Sequence, residues 1–172
     1  MKEIYCETLE KVLKNRKALE KRLNIKIAQK ENAVYIEGDA IDEHVAERVM
    51  EAINLGFPVK IALLIKEEDF IFEIIHIKQF TKRKDLERIR ARIIGKKGKT
   101  IKTLCGLTKC HLELKDNEVG IIGDSEYIEN AQQSIISLIK GSKQANVYKF
   151  LEKHQPQEII DLGLKKEIKN KK

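Results

Sequence analysis

The stretch Arg92-Ile93-Ile94-Gly95-Lys96-Lys97-Gly98-Lys99-Thr100 decides how this chain is interpreted, because it places two closely spaced glycines in a run of basic residues. Its last three residues match the end of a nucleotide-binding P-loop. In the full pattern, Gly-x-x-x-x-Gly-Lys-[Ser/Thr], the first glycine would fall at position 93, which is Ile93. The preceding segment, 86–94, also carries too many charges for the buried strand that leads into a P-loop. The sequence therefore indicates a shorter loop that cannot wrap a triphosphate.

Positive charge is concentrated around this loop. The net charge of the 172 residues is +7, but segment 78–102 alone holds eleven Lys and Arg against Asp85 and Glu87. That segment carries +9, so the remainder of the chain carries −2. Clustered positive charge of this kind is typical of proteins that bind a polyanion.

Length and composition limit the class of protein. The length suits one average domain or two small ones. No apolar run is long enough to span a bilayer, and the charged start does not resemble a secretion signal. The odd count of three cysteines fits free thiols in a reducing compartment. We therefore expect a protein without membrane association, cytoplasmic, or nuclear and nucleolar if the source is eukaryotic.

Two copies of one pattern follow each other along the chain at a fixed offset of 85 residues. Gly123, Ala131 and Gly141 match Gly38, Ala46 and Gly56 at this offset, and several apolar positions match at the same spacing. A constant offset without gaps predicts a duplicated unit.

Periodicity predicts the same elements in each copy. For the second copy the expected order is strand 71–77, helix 86–94, helix 99–107, strands 111–114 and 119–122, and a helix from Asp124 or Ser125 to about Lys140. The first copy repeats the later half, at 19–22, 25–28, 34–37 and 42–54. The predicted fold class is α+β, with two tandem βααββα units, each a three-stranded antiparallel sheet with helices on one face.

The two copies differ at the glycine loop. The offset places Glu10-Lys11-Val12-Leu13 where the second copy has Gly95 to Gly98, and no glycine precedes Gly38. Without glycines a sharp interruption is unfavourable, so we expect helix to run straight through this part of the first copy. The first copy should keep the fold and lack the loop.

The run Ile94-Gly95-Lys96-Lys97-Gly98-Lys99-Thr100-Ile101, with its downstream strand and helix spacing, closely resembles the KH-domain pattern. The stretches "LGFPVKIALLI", "FEIIHIKQF", "RARIIGKKGKT", "LTKCHLEL" and "GSKQANVYKFLEK" extend the resemblance over roughly residues 20–153. They resemble a family of archaeal and eukaryotic small-subunit ribosome assembly proteins, the partners of the Nob endonuclease, with their Krr-type relatives. The chain resembles eukaryotic members and differs from many archaeal ones in lacking the first loop. It also has Lys143 where the family often has proline, and we expect it to lack the long charged N-terminal extension of larger members.

The resemblance implies two type I KH units: 1–66, a degenerate unit without Gly-x-x-Gly, and 67–153, a unit with the glycine clamp and an extra C-terminal helix. Residues 154–172 are a basic tail, and its charge from Lys165 onward is expected to add non-specific RNA affinity. The implied RNA-binding residues are Arg92, Ile94, Gly95, Lys96, Lys97, Gly98, Lys99, Thr100, Ile101, Leu112 and Leu114. In such a unit the glycine loop lies against about four single-stranded nucleotides. Free N–H groups near Lys99 and Thr100 would face phosphate.

The function implied is that of a non-enzymatic assembly factor that holds single-stranded small-subunit rRNA near its 3′ end. Its implied partners are a Nob-type endonuclease and the pre-small ribosomal subunit. Two alternatives remain open: a KH protein of RNA decay or translation, and a nucleotide-hydrolysing switch.

Other patterns that could carry chemistry are weak. Cys105-x4-Cys110-His111 resembles part of a metal site, but no second ligand pair follows at a suitable spacing. Glu67-Glu68-Asp69 could bind a cation, although a solvated turn explains it as well. The four histidines are scattered without a nucleophile beside them. We therefore expect no catalytic residue, metal or cofactor.

Overall fold

The structure, a computed structural model, describes residues 2–30 and 33–155. The expected basic tail lies outside the described residues, apart from His154 and Gln155. Among the described helices, none combines the length and the apolar character needed to cross a membrane.

Residues 2–66, here called the N-terminal unit, form a three-stranded antiparallel sheet with the strand order β1-β3-β2. The elements are β1 (Lys2–Tyr5), α1 (Leu9–Lys14), α2 (Arg16–Leu23), β2 (Lys26–Lys30), β3 (Ala33–Glu37), α3 (Ala40–Leu55) and α4 (Val59–Ala62). A 3-10 turn, Leu63–Lys66, leads out of the unit.

Residues 67–153, the C-terminal unit, form a second antiparallel sheet with the order β4-β6-β5. The elements are β4 (Phe70–His76), α5 (Ile77–Phe80), α6 (Leu86–Ile94), α7 (Lys99–Thr108), β5 (His111–Lys115), β6 (Glu118–Asp124), α8 (Ser125–Lys140) and α9 (Gln144–Lys153), with a 3-10 turn at Lys96–Gly98. The predicted α+β class is confirmed, and helix 86–94 has the predicted bounds. The expected start of α8 is also confirmed, because the Asp124 carboxylate accepts a hydrogen bond from the Glu126 N–H at 2.9 Å.

The fixed offset of the sequence holds in the strand pairing and in local packing. Ile27 pairs with Ile36 in the N-terminal sheet, and the equivalent Leu112 pairs with Ile121 in the other. Two equivalent glycines pack closely on equivalent side chains. A Cβ on Gly38 would lie 3.0 Å from Ile25, and a Cβ on Gly123 would lie 2.3 Å from the Cys110 sulfur. The helices α3 and α8 both end at a glycine with positive φ, at Gly56 and Gly141.

The first strands do not follow this offset. Lys2 pairs with Ile36, whereas Glu73 pairs with the equivalent Ile121. At the fixed offset Lys2 would correspond to Glu87, well beyond the end of β4. The C-terminal unit therefore contains an insertion, without a counterpart in the N-terminal unit, between its first strand and its first long helix. The inserted part includes α5 and the basic segment Lys82-Arg83-Lys84.

The expectation that helix runs straight through the first copy is wrong. The helix breaks at Asn15, whose φ is −109° and ψ 11°, between α1 and α2. These angles are accessible to residues other than glycine. The Asn15 side-chain amide also donates to the Lys11 carbonyl at 2.8 Å, which compensates a carbonyl at the end of α1. The break is a kink without a loop.

The C-terminal sheet is covered on both faces, which differs from the expected arrangement of helices on one face. Val119 and Ile121 pack into the core formed with α6, α7 and α8, whereas Ile122 belongs to the core of the N-terminal unit. Gly120 lies on the same face of β6 as Ile122 and packs closely on the N-terminal unit. A Cβ there would lie 2.1 Å from Leu55 and 2.6 Å from Phe57.

Polar contacts surround this interface between the units. The Arg48 guanidinium lies 4.8 Å from the centroid of the Phe72 ring and donates to the Phe72 carbonyl at 2.7 Å. Lys115 donates to the Asn54 carbonyl at 2.8 Å and pairs with Glu7. The cores of the two units are therefore joined by packing and by hydrogen bonds.

Candidate nucleic-acid interface

The glycine loop is a sharp reversal between α6 and α7. Gly95 has φ 75° and ψ 174°, Lys97 has φ 53°, and Gly98 has φ 73°. The succession of positive φ values explains why this turn uses two glycines. Because the loop follows a helix and not a strand, it lacks the framework of a P-loop.

The two glycines serve different purposes. A Cβ on Gly95 would lie 2.0 Å from Thr100 Oγ1 and 2.8 Å from Thr100 N, so Gly95 lets the loop close on the start of α7. A Cβ on Gly98 would meet nothing within 4 Å. The outer side of Gly98 is therefore open to the approach of a ligand backbone.

Lysines surround this open side. Lys96, Lys97, Lys99 and Lys102 are exposed and line one shallow depression together with Thr103. Within the part of the chain that the structure describes, none of these four lysines forms an ion pair. Their charges add to the positive end of the α7 dipole, so the surface suits an anion.

The expectation of free N–H groups at the start of α7 is wrong for one residue. The Lys99 N–H donates to the Lys96 carbonyl, because the left-handed backbone at Lys97 curls the loop into a 3-10 turn. The Thr100 side chain is also unavailable, since it is only 4% exposed and accepts a hydrogen bond from Gln144. The Lys99 N–H and the Thr100 hydroxyl are thus engaged within the protein, whereas the lysine side chains of the loop are exposed to a ligand.

Gln144, which sequence reasoning missed as a site residue, connects the two helices that flank the loop. Its side-chain amide donates to the Arg92 carbonyl at 3.1 Å and to Thr100 Oγ1 at 2.9 Å. Arg92 was expected beside the loop tip, but its Nη2 donates to the Ser142 carbonyl at 2.5 Å. Both residues therefore fix α9 and the end of α8 against the loop. The sequence signal for Gln144 was its place in the stretch "GSKQANVYKFLEK".

The expected apolar groove is only partly formed by the predicted side chains. Ile94 is 38% exposed, and Ile101 and Leu114 are half-buried. Leu112 is only 6% exposed and belongs to the core, so its side chain does not line the surface. Because β5 is an edge strand, it can still contribute main-chain groups to the groove.

Cys105 lies beside that strand edge. Burial raises the pKa of the Cys105 thiol, and a hydrogen bond with the main chain of Leu112 partly offsets this effect. Burial also raises the pKa of Cys110, to about 11. Nowhere in residues 2–30 and 33–155 are three or more His, Cys, Asp or Glu side chains placed to hold a metal ion. Cys105 therefore contacts the main chain of Leu112 on β5, a position that its sequence context did not reveal.

The N-terminal unit has a carboxylate at the equivalent place. At the fixed offset, Glu20 and Ile27 correspond to Cys105 and Leu112. The Glu20 carboxylate accepts a hydrogen bond from the Ile27 N–H at 2.9 Å, and a second one from Arg16 at 2.9 Å. These bonds, chiefly the one from Ile27, hold the pKa of Glu20 below its usual value. The edge N–H of β2 is thus already occupied by an anionic side chain.

Comparison with known proteins identifies similar sequences. A family model described as eukaryotic type KH-domain (KH-domain type I) matches residues 71–156. The KH domain-containing protein MJ0443 of Methanocaldococcus jannaschii is 29% identical over 147 residues, which cover 81% of this chain and 65% of that protein. The pre-rRNA-processing protein PNO1 of Debaryomyces hansenii is 32% identical over 136 residues, covering 76% and 52%. The chain thus spans between half and two thirds of these curated relatives.

A solved structure is similar over most of the chain. A chain of the crystal structure of the a/eIF2alpha-aDim2p-rRNA complex from Pyrococcus horikoshii OT3 superposes with a TM-score of 0.77 and is 28% identical. The match covers 88% of this chain and 92% of that one. The similarity therefore includes both sheets.

Proposed function

The chain belongs to the eukaryotic-type KH-domain family (KH-domain type I), and we propose that it is a non-enzymatic RNA-binding factor of small-subunit ribosome assembly. The observation that carries this proposal is the glycine loop with its four exposed lysines at the start of α7. The names of the relatives support it, since one is a pre-rRNA-processing protein and one belongs to a complex with rRNA.

In the proposed mechanism, the loop of the C-terminal unit (67–153) holds about four nucleotides of single-stranded rRNA. The RNA backbone approaches Gly98, where no side chain obstructs it, and Lys96, Lys97 and Lys99 neutralise the phosphates. The bases lie on Ile94, Ile101 and Leu114. Base edges bond to main-chain groups along the β5 edge.

The N-terminal unit (1–66) is proposed to be a KH-like unit without RNA affinity. Its support is the shared element order and strand register, together with a kink in place of the loop. Glu20 also occupies the N–H of Ile27, and its negative charge disfavours phosphate. The unit would then act as a scaffold on which the C-terminal sheet rests.

This division of labour predicts the effect of charge reversal in the N-terminal unit. Changing Lys11 and Lys14 to glutamate should leave the affinity for short single-stranded RNA within about twofold of the wild type, because this part of the surface contacts no phosphate. Fluorescence anisotropy with a labelled oligonucleotide would measure it. A tenfold loss would mean that the N-terminal unit binds RNA directly.

A footprint of about four nucleotides is too small to select one rRNA site, so a second contact is required. From the resemblance described above, we assign that contact to a Nob-type endonuclease on the pre-small ribosomal subunit. Two linked weak contacts multiply through effective concentration. The protein would act in the cytoplasm, or in the nucleolus of a eukaryotic source.

Crosslinking in cells tests the proposed function. Sequencing of the RNA crosslinked to the tagged protein should give reads concentrated at the 3′ end of small-subunit rRNA, and mass spectrometry of the same material should identify the endonuclease. The reads should be lost for a variant with Lys96 and Lys97 changed to aspartate. Reads spread over messenger RNAs would instead indicate a role in decay or translation.

A further inference from the structure

A second basic cleft lies between the start of α6 and the end of α8, apart from the glycine loop. It is lined by Arg83, Lys84, Asp85, Arg88, Ile89, Arg92 and Gly141. Four of these side chains are cationic and only Asp85 is acidic. The cleft therefore has a strong positive excess.

Two guanidinium groups in this cleft converge near Gly141. The position that a Cβ on Gly141 would take is 3.9 Å from both Arg83 Nη2 and Arg92 Nη1. Arg92 is held there by its bond to the Ser142 carbonyl. Arg83, Lys84 and Arg88 are exposed, and none of them forms an ion pair with any residue that the structure describes. Four cationic side chains gathered around a single carboxylate favour the binding of an anion.

The cleft is separate from the apolar groove. Arg88 and Arg92 are one turn apart on α6, whereas Arg90 points away from them, since each residue turns the helix by about 100°. The Arg90 guanidinium donates to the Asp116 carbonyl in the turn between β5 and β6. The cleft and β5 therefore lie on opposite sides of α6. Gln144 connects the two places, because it bonds to the Arg92 carbonyl and to Thr100 behind the loop.

We propose that this cleft is a second phosphate-binding site for RNA, which holds nucleotides beyond those under the glycine loop. The proposal rests on the proposed function, because it extends the same RNA contact. Arg88 lies roughly 9 Å from Ile94 along α6 at 1.5 Å per helical residue, and the glycine loop begins at the next residue, so an RNA backbone covers the span in a few nucleotides. Arginine binds phosphate oxygens with two parallel hydrogen bonds.

Two observations favour RNA over an acidic protein segment. The cleft and the loop belong to one segment, 78–102, that carries eleven basic residues and two acids, which suits a continuous polyanion. Arg83 and Lys84 also lie in the insertion that the N-terminal unit lacks. The unit with the glycine loop is thus also the one with the cleft.

The test compares a labelled tetranucleotide with a dodecanucleotide of single-stranded RNA. Changing Arg83 and Arg88 to glutamate should weaken binding of the dodecanucleotide by roughly tenfold and leave the tetranucleotide within about twofold. The matched control changes Lys17 and Lys21, two exposed lysines one turn apart on α2, to glutamate. Melting temperatures would confirm that all variants fold.

Salt dependence gives a second readout. Each phosphate contact contributes about 0.7 log units of affinity per tenfold change in salt, so the loss of two contacts in the cleft variant should lower the slope for the dodecanucleotide by about 1.4. Equal losses in the cleft variant and the control would overturn the proposal, because the effect would then come from net charge alone, and an undiminished affinity of the cleft variant for the dodecanucleotide would overturn it as well. If the Lys96 and Lys97 variant binds the tetranucleotide normally while the cleft variant loses the dodecanucleotide, the loop assignment fails and the cleft proposal stands.

Discussion

Replacing Lys96 and Lys97 with aspartate should lower the affinity for single-stranded RNA by more than about tenfold, because each substitution reverses a charge beside the open face of Gly98. Fluorescence anisotropy with a short labelled RNA would measure the loss. Binding by the wild-type protein should also weaken with rising salt, and the variant should show a flatter salt dependence.

The same variant should keep its melting temperature. Both lysines are exposed, and neither forms an ion pair with a described residue. Lys97 has a left-handed backbone, a conformation that aspartate tolerates better than most residues. Changing Lys17 and Lys21 to aspartate controls for the net charge. If the loop variant and this control bind RNA equally well, the loop does not grip phosphate.

Changing Gly120 to valine should destabilise the protein by about 3 kcal/mol, because the added side chain would be forced against Leu55 and Phe57. These neighbours are buried and lie in the core that joins the two units, so they have little room to move. Urea denaturation followed by circular dichroism would measure the change in the free energy of unfolding.

A second glycine provides the control for this prediction. Gly106 lies in α7, and a Cβ there would meet nothing within 4 Å. Changing Gly106 to alanine should therefore stabilise the protein by about 0.5–1 kcal/mol through helix propensity. An unchanged free energy of unfolding for the Gly120 variant would show that the units are not in close contact at this strand.

The sequence was sufficient for those features that depend on local pattern. Charged and apolar residues with helical spacing predicted the bounds of α6, and the glycines predicted where it ends. The fixed offset of glycine and apolar positions anticipated the equal registers of the two sheets. In each case neighbouring residues along the chain determine the outcome, so no tertiary information was required.

Features that depend on distant contacts were not predictable in this way. Asn15 interrupts the first helix with angles open to most residues, so no glycine marks the position. The bond between Glu20 and the Ile27 N–H joins a helix to a strand, and Gln144 reaches the loop from a helix far along the chain. Such partners are set by the packing of elements.

One signal for the two-sided burial of the C-terminal sheet was nevertheless present. The β6 segment Val119-Gly120-Ile121-Ile122-Gly123 has no polar residue on either face. A strand with one solvated face alternates apolar and polar residues, whereas a strand buried on both faces reads as a continuous apolar run. The run indicates that β6 lies between two layers.

The shared core also determines when the chain can finish folding during its synthesis. The core of the N-terminal unit includes Phe72 and Ile122, which belong to the strands of the other unit. At roughly 5–20 residues per second, a ribosome needs about 3–13 s to extend the chain from Phe57 to Ile122. During that interval Leu55 and Phe57 lack the surface that covers them in the finished protein. The half of the molecule that is translated first is thus completed by the half that is translated last.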